Sequence, residues 1–327
     1  QGEYPPGSPF KLLNALIGLE EGVIDEATRV TCRHGLHYGA KKPFGCHCSF
    51  GISNDLNKAI FASCNAYFGK TYLKILDKYP TATIGLKHWS DHAKSFGLGN
   101  YLDNDLSVGN KGRIPNDKYY NSWYGKNKVY STFTISNSIG QGEVLTTPIQ
   151  LANMTAAIAN RGFYYTPHIV KNIKGDTLPK KFTTKRVTTI SPKHFEPVIQ
   201  GMYDVYEKNG GTGYYARVNG IEICGKTGTS EVYGKIDGVR TQLDDHSIFV
   251  AFAPKDNPKI AIAVFVEHGF WGSRWAAPMA SLMIEKYLKG TISRKDLEIK
   301  MLNGSLENVY DSYISGEPFK INRNRAR

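Results

Sequence analysis

The sequence contains no run of 18 apolar residues, although hydrophobic residues make up 41% of its 327 positions. A helix that crosses a bilayer needs about 20 such residues, so no membrane span is expected. No signal peptide is visible either, because Gln1 leads directly into a compact motif at residues 4–11. We therefore expect this chain to be a fragment that a further N-terminal region precedes.

Acidic residues are in the minority, with 29 Asp and Glu against 41 Lys and Arg and a net charge of +12. The basic residues are scattered, and neither a zinc-finger spacing nor an RNA-binding aromatic signature occurs, so nucleic acid is a poor fit. Two interpretations stay open, an ordinary basic protein or one attracted to an anionic polymer or membrane surface.

Cysteine is scarce and odd in number, so a disulfide framework cannot use all five residues. Cys32, Cys46 and Cys48 lie in a glycine-rich stretch, and Cys64 lies between two helical segments. Cys46 and Cys48 are unusually close for a structural pair. Disulfides with buried thiols and a tetrahedral zinc site are both compatible with this pattern. Cys224, on a predicted strand, is expected to be a buried free thiol.

The first patterned segment, residues 8–22, predicts a helix. Ser8 is a typical N-cap, Pro9 suits the first helical position, and leucine and alanine recur at helical spacing up to Gly22. Residues i and i+3 share a helix face, so Lys11 is expected beside Ser8. One turn would then supply a nucleophile, a base and a backbone donor for an oxyanion.

The rest of the chain predicts helices first and strands later. Further helices are predicted at 56–76 with a short break, 89–96, 147–162, 193–208 and 275–288. Strands are predicted at 221–232, 247–253 and 259–266. Residues 28–52 are expected to be irregular, 80–134 to be a loop-rich insertion and 171–192 to be an excursion with short strands. This order favours a sheet with helices packed on it, and the residues from 291 carry no clear pattern.

Three short motifs occur in a set order, namely Ser8-Pro9-Phe10-Lys11, Ser63-Cys64-Asn65 and Lys226-Thr227-Gly228-Thr229. The same trio characterises penicillin-binding proteins and class A β-lactamases. Because each motif alone is common, the information lies in the combination and in the order.

The chemistry of the first two motifs is consistent with nucleophilic catalysis. A serine hydroxyl is a weak nucleophile, and Lys11 can serve as its base only when the amine is neutral. Burial, together with Lys226 as a second cation, would lower the pKa of Lys11. Ser63 could pass a proton between Lys11 and a leaving amine, and Asn65 could hold a substrate amide.

The third motif is expected to bind the substrate. Gly228 would let the strand backbone approach a ligand closely. The Thr229 N–H would complete an oxyanion hole with the Ser8 N–H. The hydroxyls of Thr227 and Thr229, together with Lys226, could bind a terminal carboxylate.

The chain resembles class B penicillin-binding proteins over roughly residues 4–290. Beyond the trio, the resemblance rests on Ser138-Ile139-Gly140-Gln141-Gly142 and on residues 147–162, which are typical of transpeptidases and not of β-lactamases. Residues 4–8 and 63–68 are most similar to the group called penicillin-binding protein 2, which serves cell elongation.

The resemblance implies an α/β (α+β) penicillin-binding/β-lactamase-like fold. Its features are an antiparallel five-stranded sheet with helices on both faces and an all-helical subdomain. The transpeptidase domain would cover residues 1–290, followed by a C-terminal tail at 291–327. The family also has a membrane anchor and a pedestal domain, both absent from this sequence, and its catalytic domain lies at the periplasmic face of the cytoplasmic membrane.

The implied activity is peptidoglycan D,D-transpeptidation during cell-wall elongation and the maintenance of cell shape. The serine would attack the D-Ala-D-Ala bond of a stem peptide, release D-alanine and transfer the acyl group to an amine on a neighbouring strand. β-Lactams would trap the same serine. The expected partner is a membrane glycosyltransferase of the elongation machinery, and no organic cofactor is implied.

The resemblance also bears on the cysteines. Relatives carry a metal site in this region with mixed Asp, His and Cys ligands, and Cys32, Cys46, Cys48 and Cys64 match it best. A structural Zn²⁺ is therefore implied, with four thiolates in place of the mixed set. His47 is the alternative ligand to one of the paired cysteines.

Three alternatives share this fold. A serine β-lactamase would need a second general base, typically in a Glu-x-x-Leu-Asn motif, and that motif is absent between the second and third motifs. A D,D-carboxypeptidase would transfer the acyl group to water. A β-lactam sensor domain would be acylated without processing a stem peptide. Acylation and deacylation with a chromogenic cephalosporin would distinguish a lactamase from the others.

Overall fold

The computed structural model describes residues 2–38, 43–106, 108–236 and 238–315. The described residues contain eleven α-helices, which are α1 Phe10–Glu20, α2 Leu56–Phe61, α3 Asn65–Asp77, α4 Ala82–Ser95, α5 Asp117–Tyr124, α6 Pro148–Ala159, α7 Lys180–Thr183, α8 Phe195–Glu207, α9 Ala276–Lys289, α10 Lys295–Leu302 and α11 Glu307–Ile314. The same ranges contain three 3₁₀ helices, Ser131–Ile139, Pro192–His194 and Tyr214–Ala216. None of the helices in these ranges has the length and apolar character that a bilayer crossing requires.

Nine strands occur within the described ranges, which are β1 Val30–Cys32, β2 Gly35–Leu36, β3 Phe44–Gly45, β4 Ile52–Asn54, β5 Phe163–Tyr164, β6 Arg186–Val187, β7 Cys224–Ile236, β8 Val239–Ala253 and β9 Ile260–Val266. Six of them form three small antiparallel pairs, β1 with β4, β2 with β3 and β5 with β6. Residues 39–42 of the expected irregular stretch and 316–327 of the expected tail lie outside the described residues.

The main sheet is antiparallel with the order β7-β8-β9, which leaves β7 at an edge. Its three strands correspond to the three that the apolar runs predicted. The described residues give this sheet three strands, so the expected count of five is not confirmed.

The sheet is covered on both faces, as expected. Side chains of a strand alternate between the two faces. On β8, Ile248 and Val250 join the core that contains α1, α3 and α6, whereas Phe249 and Ala251 join the core that contains α9. The mixed fold with helices on two faces is therefore confirmed.

Helix α1 is the central helix of the larger core, because every residue from Phe10 to Leu19 is buried. The prediction that Ser8 caps it was wrong. The residue at the N-cap position is Pro9, and no side chain caps the helix. Ser8 lies in the preceding turn, where its carbonyl accepts a hydrogen bond from the Lys11 N–H at 3.1 Å and its hydroxyl is engaged by a side chain from elsewhere in the chain.

The capping box at the start of α6 is confirmed. The Gln150 N–H donates to Thr147 Oγ1 at 3.4 Å, and the Thr147 N–H donates to Gln150 Oε1 at 3.0 Å. Pro148 occupies the first turn, as the sequence indicated. Helix α6 packs mainly against β9 and β8, so this local signal anchors one layer of the core.

Two regions contain more structure than the sequence indicated. The predicted loop-rich insertion at 80–134 includes α4 and α5, which pack against each other. The region after residue 290, which carries no clear pattern, forms α10 and α11, and Val309 of α11 is buried. Helices α5, α10 and α11 span eight residues each, about two turns, which is too short for a period to be read from the sequence, whereas the helix predicted at 89–96 is confirmed as the second half of α4.

Candidate active site

The first two motifs meet at the start of α1. Lys11 Nζ donates to Ser63 Oγ at 3.0 Å and to Asn65 Oδ1 at 2.6 Å. Ser63 Oγ in turn donates to Ser8 Oγ at 3.1 Å. Within the described residues the side chains of Lys11 and Ser8 make no direct hydrogen bond with each other, so the two side chains are connected through Ser63. The geometry gives a row of exchangeable protons from Ser8 to Lys11.

Ser63 reaches this position because it forms the break between α2 and α3 that the sequence predicted. Its φ is 56°, in the left-handed region that non-glycine residues rarely adopt. In this conformation the Ser63 carbonyl, at 2.8 Å, and its hydroxyl both accept hydrogen bonds from Lys11. Strained backbone of this kind is often retained at functional sites.

Lys11 is fully buried, and burial lowers its pKa to about 8. The cysteines Cys46, Cys64 and Cys48 oppose that shift, in decreasing order. Because a pKa near 8 leaves a sizeable neutral fraction close to neutrality, this amine can accept a proton.

Lys226 is also fully buried, and its pKa is lowered well below the usual value, first by burial and then by the charge of Lys11. The hypothesis that Lys226 depresses the pKa of Lys11 therefore needs correction. Burial depresses the pKa of Lys11, and the charge of Lys11 depresses that of Lys226. In this conformation Lys226 Nζ donates to the carbonyl of Thr227 at 3.1 Å.

Gly228 allows a close approach between β7 and the start of α1. A Cβ atom at this position would lie 2.5 Å from Pro9 Cδ and 3.1 Å from Ile248 Cβ. The missing side chain thus brings β7 against the residue that follows Ser8. At the next residue of the strand, the Thr229 carbonyl accepts a long hydrogen bond of 3.5 Å from Gln141 Nε2.

The polar groups of the third motif lie at the edge of the sheet. Thr227 Oγ1 donates to Thr212 Oγ1 at 2.7 Å, so Thr212 belongs to this site although sequence reasoning missed it. The Ser8 N–H has no intramolecular acceptor within the described ranges. That donor is therefore available to an oxyanion, as the sequence suggested.

A second missed residue is Asn14, one turn beyond Lys11 on α1 and fully buried. Its Nδ2 donates to Ser138 O at 2.9 Å, and its Oδ1 accepts from Trp89 Nε1 at 2.7 Å. These bonds hold α1 against α4 and against the end of the 3₁₀ helix Ser131–Ile139. The available signal was a polar residue on a helix that is otherwise apolar.

Four cysteines form a cluster beside the second motif. The Sγ atoms of Cys32, Cys46, Cys48 and Cys64 lie within 4.8 Å of one another, and all four are free thiols. An ideal tetrahedron with ~2.3 Å zinc–sulfur bonds separates its sulfurs by ~3.8 Å, and the sulfurs of Cys46 and Cys64 lie 3.9 Å apart. The set fits a tetrahedral thiolate site.

The surroundings of the cluster favour negative charge on one sulfur, that of Cys46, and disfavour it on the other three. The Asn65 N–H donates to Cys46 Sγ at 3.2 Å. Hydrogen bonds from the Cys48 and Cys64 thiols lower the pKa of Cys46, while Cys46 raises that of Cys48 to about 12 and burial raises that of Cys32 to about 12. One thiolate is stabilised by thiols alone, and a divalent cation would stabilise all four.

Two further predictions concern His47, as an alternative metal ligand, and Cys224, as a buried free thiol. His47 Nε2 is hydrogen-bonded to the Ala62 carbonyl at 3.0 Å and is not part of the sulfur cluster. Cys224 is buried and free, as predicted, and burial raises the pKa of its thiol.

Comparison with known proteins agrees with the resemblance that the three motifs indicated. A family model described as the penicillin binding protein transpeptidase domain matches residues 1–285. The chain is 33% identical over 325 residues to the peptidoglycan D,D-transpeptidase MrdA of Acinetobacter baumannii, an alignment that covers 93% of this chain and 44% of that relative. The chain therefore spans less than half the length of this relative.

Two solved structures are similar over most of the chain. The Pseudomonas aeruginosa PBP2 structure in complex with WCK 5153 has a TM-score of 0.76 and 29% identity, and the similarity covers 90% of this chain and 62% of that one. The Helicobacter pylori complex between PBP2 and MreC has a TM-score of 0.73 and 28% identity, with coverage of 88% and 50%.

Proposed function

This chain belongs to the penicillin-binding protein transpeptidase family, and we propose that it is a peptidoglycan D,D-transpeptidase of cell-wall elongation with Ser8 as the nucleophile. The observation that carries the proposal is the hydrogen-bonded row from Ser8 through Ser63 to the buried Lys11. Edge strand β7, with the Lys226 motif, borders that row through the contact of Gly228 with Pro9.

Acylation follows from this row. Ser8 Oγ attacks the carbonyl of the D-Ala-D-Ala bond while its proton moves to Ser63 Oγ, whose own proton moves to the neutral amine of Lys11. The N–H groups of Ser8 and Thr229 would stabilise the oxyanion of the tetrahedral intermediate. As the carbon–nitrogen bond breaks, a proton returns through Ser63 to the leaving D-alanine amine, which leaves an acyl-serine.

Transfer is the reverse of this path with a different amine. An amine of a neighbouring stem peptide attacks the acyl-serine and loses its proton through Ser63 to Lys11, and the proton is returned to Ser8 Oγ as the ester bond breaks. Cross-linking instead of hydrolysis requires that the amine reach the ester before water does. β-Lactams offer the same carbonyl and leave Ser8 acylated.

The third motif is proposed to hold the terminal carboxylate. Lys226, Thr227 and Thr229 present an amine and two hydroxyls on one edge strand, and charge-assisted hydrogen bonds are the strong ones for a carboxylate. Asn65 is proposed to contact a substrate amide, although in this conformation its Oδ1 accepts from Lys11 and its Nδ2 donates to Gly45 O at 2.8 Å.

We further propose that Cys32, Cys46, Cys48 and Cys64 hold a structural Zn²⁺. The distance between sulfurs, the mutual proximity of all four and the Asn65 N–H on Cys46 support it. The ion would join β1, the loop after β3 and the start of α3. It would therefore fix the backbone on which Ser63 and Asn65 lie.

The cellular setting is proposed from the relatives. The Acinetobacter relative is named a peptidoglycan D,D-transpeptidase, and peptidoglycan lies outside the cytoplasmic membrane. We therefore propose that this domain lies at the periplasmic face of that membrane. A membrane glycosyltransferase of the elongation machinery is the proposed partner. Because the Helicobacter pylori PBP2 forms a complex with MreC, we propose a protein similar to MreC as a second partner.

Covalent labelling with penicillin tests the assignment of Ser8. Mass spectrometry should find one drug adduct per chain on the peptide that contains Ser8, and the Ser8→Ala variant should have none. Retention of the adduct by Ser8→Ala would refute the assignment. Purified stem pentapeptide with an acceptor amine should yield a cross-linked product, whereas rapid turnover of a chromogenic cephalosporin would indicate a β-lactamase and simple hydrolysis a carboxypeptidase.

A further inference from the structure

Six aromatic rings follow one another in contact on the surface of α5 and the segment after it. We call this set the aromatic ladder, and its members are Tyr119, Tyr120, Trp123, Tyr124, Tyr130 and Phe133. Neighbouring ring centroids are separated by 5.3 to 6.4 Å. These separations lie in the range of direct aromatic contact, so the rings form one connected row, in which the buried Tyr120 joins Tyr119 and Trp123 to the exposed group of Tyr124, Phe133 and Tyr130.

Most of the aromatic ladder is open to solvent. The exposed fractions are 73% for Trp123, 66% for Tyr130 and 54% for Phe133. Isolated exposed aromatics are ordinary, but a contiguous apolar surface of this kind marks a binding site. The site is not used by any step of the proposed reaction.

The chemistry of the surface narrows the class of ligand. Residues 118–133 contain a single aliphatic side chain, that of Val129, which is buried. The exposed residues between the rings are polar or basic, and they include Lys118, Lys126 and Lys128. Flat rings with polar neighbours suit a ligand that has apolar faces and a hydroxylated rim.

The aromatic ladder is attached to the wall of the active site. The hydroxyl of Tyr120 accepts from Asn137 Nδ2 at 2.9 Å and donates to Glu143 Oε2 at 2.7 Å. Phe133 lies on the 3₁₀ helix that ends next to Gly140, and Gly140 packs against Gly7 beside the nucleophile. At ~2 Å per residue, Phe133 lies ~14 Å from Gly140 along this helix.

We propose that the aromatic ladder binds the glycan strand of peptidoglycan. A pyranose ring has faces of C–H groups and a rim of hydroxyls, so its faces stack on aromatic rings while its rim meets water and polar side chains. The lysines complement the carboxylates of the stem peptides that the strand carries. Tethering the strand near the cleft raises the effective concentration of its stem peptides at Ser8. This inference rests on the proposed function, because it assumes that the substrate is the peptidoglycan polymer.

The test measures sugar binding separately from acylation. Glycan strands stripped of their stem peptides are titrated by calorimetry into the chain, into the double variant Trp123→Ala/Tyr130→Ala and into Tyr287→Ala. Tyr287 is the matched control because it is 63% exposed on α9 and is not part of the aromatic ladder. We expect the double variant to bind about tenfold more weakly or worse, and the control to bind like the parent chain.

The double variant should differ from the parent and from Tyr287→Ala only with a polymeric substrate. Penicillin acylation of all three proteins should be equal, and cross-linking of soluble stem peptides should be unchanged. Cross-linking of polymeric peptidoglycan should fall in the double variant alone. Unequal acylation or altered melting temperature would show a structural defect, for which Trp123→Phe serves as the conservative rescue.

Several outcomes would overturn the proposal. They are an absence of binding by the stripped strands, equal binding by the double variant, equal loss in Tyr287→Ala, or competition by stem peptide alone. Binding to vesicles of anionic lipid in place of glycan would assign the surface to a membrane. Failure of the proposed function would look different, because it would be a loss of acylation at Ser8 with glycan binding intact.

Discussion

Two buried lysines, Lys11 and Lys226, determine the chemistry at the residue scale. An amine taken out of water loses hydration that only its charged form needs, so burial favours the neutral form. Lys11 and Lys226 are both fully buried, and the charge of Lys11 further lowers the pKa of Lys226. The contacts of Lys11 are to oxygen atoms of Ser63 and Asn65, and these can accept from the amine or, at Ser63, donate to it.

The rate of acylation should therefore rise with pH as Lys11 loses its proton. Its pKa is lowered to about 8 by burial. The neutral form is the base, so activity is lost as the pH falls below this value, and the rate should increase about tenfold between pH 7 and 9. Stopped-flow acylation with a chromogenic cephalosporin measures it. A rate that is flat over this interval would contradict the role of Lys11.

The Lys11→Arg variant is the matched test of the same role, because arginine keeps the charge but cannot deprotonate. Acylation should fall by ~10²–10⁴-fold, the usual contribution of general base catalysis. Circular dichroism and melting temperature provide the control for folding. Near-normal acylation would assign the base to another group.

Sequence reasoning identified these residues but not all of their contacts. The i,i+3 spacing placed Lys11 on the face of Ser8, yet the amine binds Ser63 and Asn65, more than 50 positions away in the sequence. Local spacing could not predict this because the contact depends on how α3 packs on α1. Asn14 and Thr212 were missed for the same reason, since each acquires its role from a distant partner.

At the scale of elements, the packing of β7 against the start of α1 sets the distance between the third motif and the nucleophile. Gly228 allows this approach, because a Cβ atom there would lie 2.5 Å from Pro9 Cδ. The Pro9 ring is rigid and cannot move aside as a long side chain could. A larger residue at 228 must therefore displace the strand or the turn that contains Ser8.

The Gly228→Ala variant should lose acylation through this displacement. Overpacking of this kind costs ~1–3 kcal/mol, so the melting temperature should fall as well. Gly234→Ala on the same strand is the control, because its Cβ would meet the movable Cδ1 of Leu243 at 2.8 Å. Both quantities are measurable by scanning calorimetry and penicillin labelling. Equal behaviour of the two variants would argue against a special role for Gly228.

Elements with strong local signals were the predictable ones. Thr147 and Gln150 form the capping box that their spacing indicated, and the predicted strands at 247–253 and 259–266 occur as the buried part of β8 and the largely half-buried β9. The boundary of α1 was misplaced because Ser8 Oγ is engaged by Ser63 and does not cap the helix. Tertiary contacts thus override a local preference where the chain performs chemistry.

Metal content tests the cysteine cluster that links β1, the loop after β3 and α3. Elemental analysis of untagged protein should find about one zinc per chain, the stoichiometry of a four-thiolate site. Because the ion would stabilise the folded state, chelation should lower the melting temperature. Cys64→Ser should lower both zinc content and the acylation rate, since Cys64 lies between Ser63 and Asn65.

Cys224→Ser is the matched control for that experiment. Cys224 is buried and free but lies on β7, away from the sulfur cluster. Its replacement should leave zinc content unchanged. Metal-free protein in which Cys32, Cys46, Cys48 or Cys64 is mapped to a disulfide would remove the zinc hypothesis.

At the scale of the whole molecule, α11, the last helix of the described residues, is part of the folded domain. Val309 is buried, and the Tyr310 hydroxyl donates to the Glu267 carbonyl at 3.1 Å. The Tyr313 hydroxyl donates to Asp244 Oδ2 at 2.9 Å and accepts from the Asp244 N–H at 2.8 Å. Helix α11 is therefore attached to β8 by hydrogen bonds at Asp244.

Removing the Tyr313 hydroxyl should weaken this attachment without affecting the chemistry. Tyr313→Phe keeps the ring but removes the hydrogen bonds to the Asp244 N–H and carboxylate, both half-buried, which costs about 0.5–1.5 kcal/mol per bond. With an unfolding entropy of ~2.1 cal/mol/K per residue, the melting temperature of a 327-residue chain should fall by ~1.5 °C for each kcal/mol. Tyr287→Phe, exposed on α9, is the control and should melt like the parent. Penicillin acylation should be equal in all three proteins, because Asp244 lies outside the three motifs. Loss of acylation in Tyr313→Phe would show that α11 acts on the active site through β8, and an unchanged melting temperature would show that α11 does not stabilise the domain.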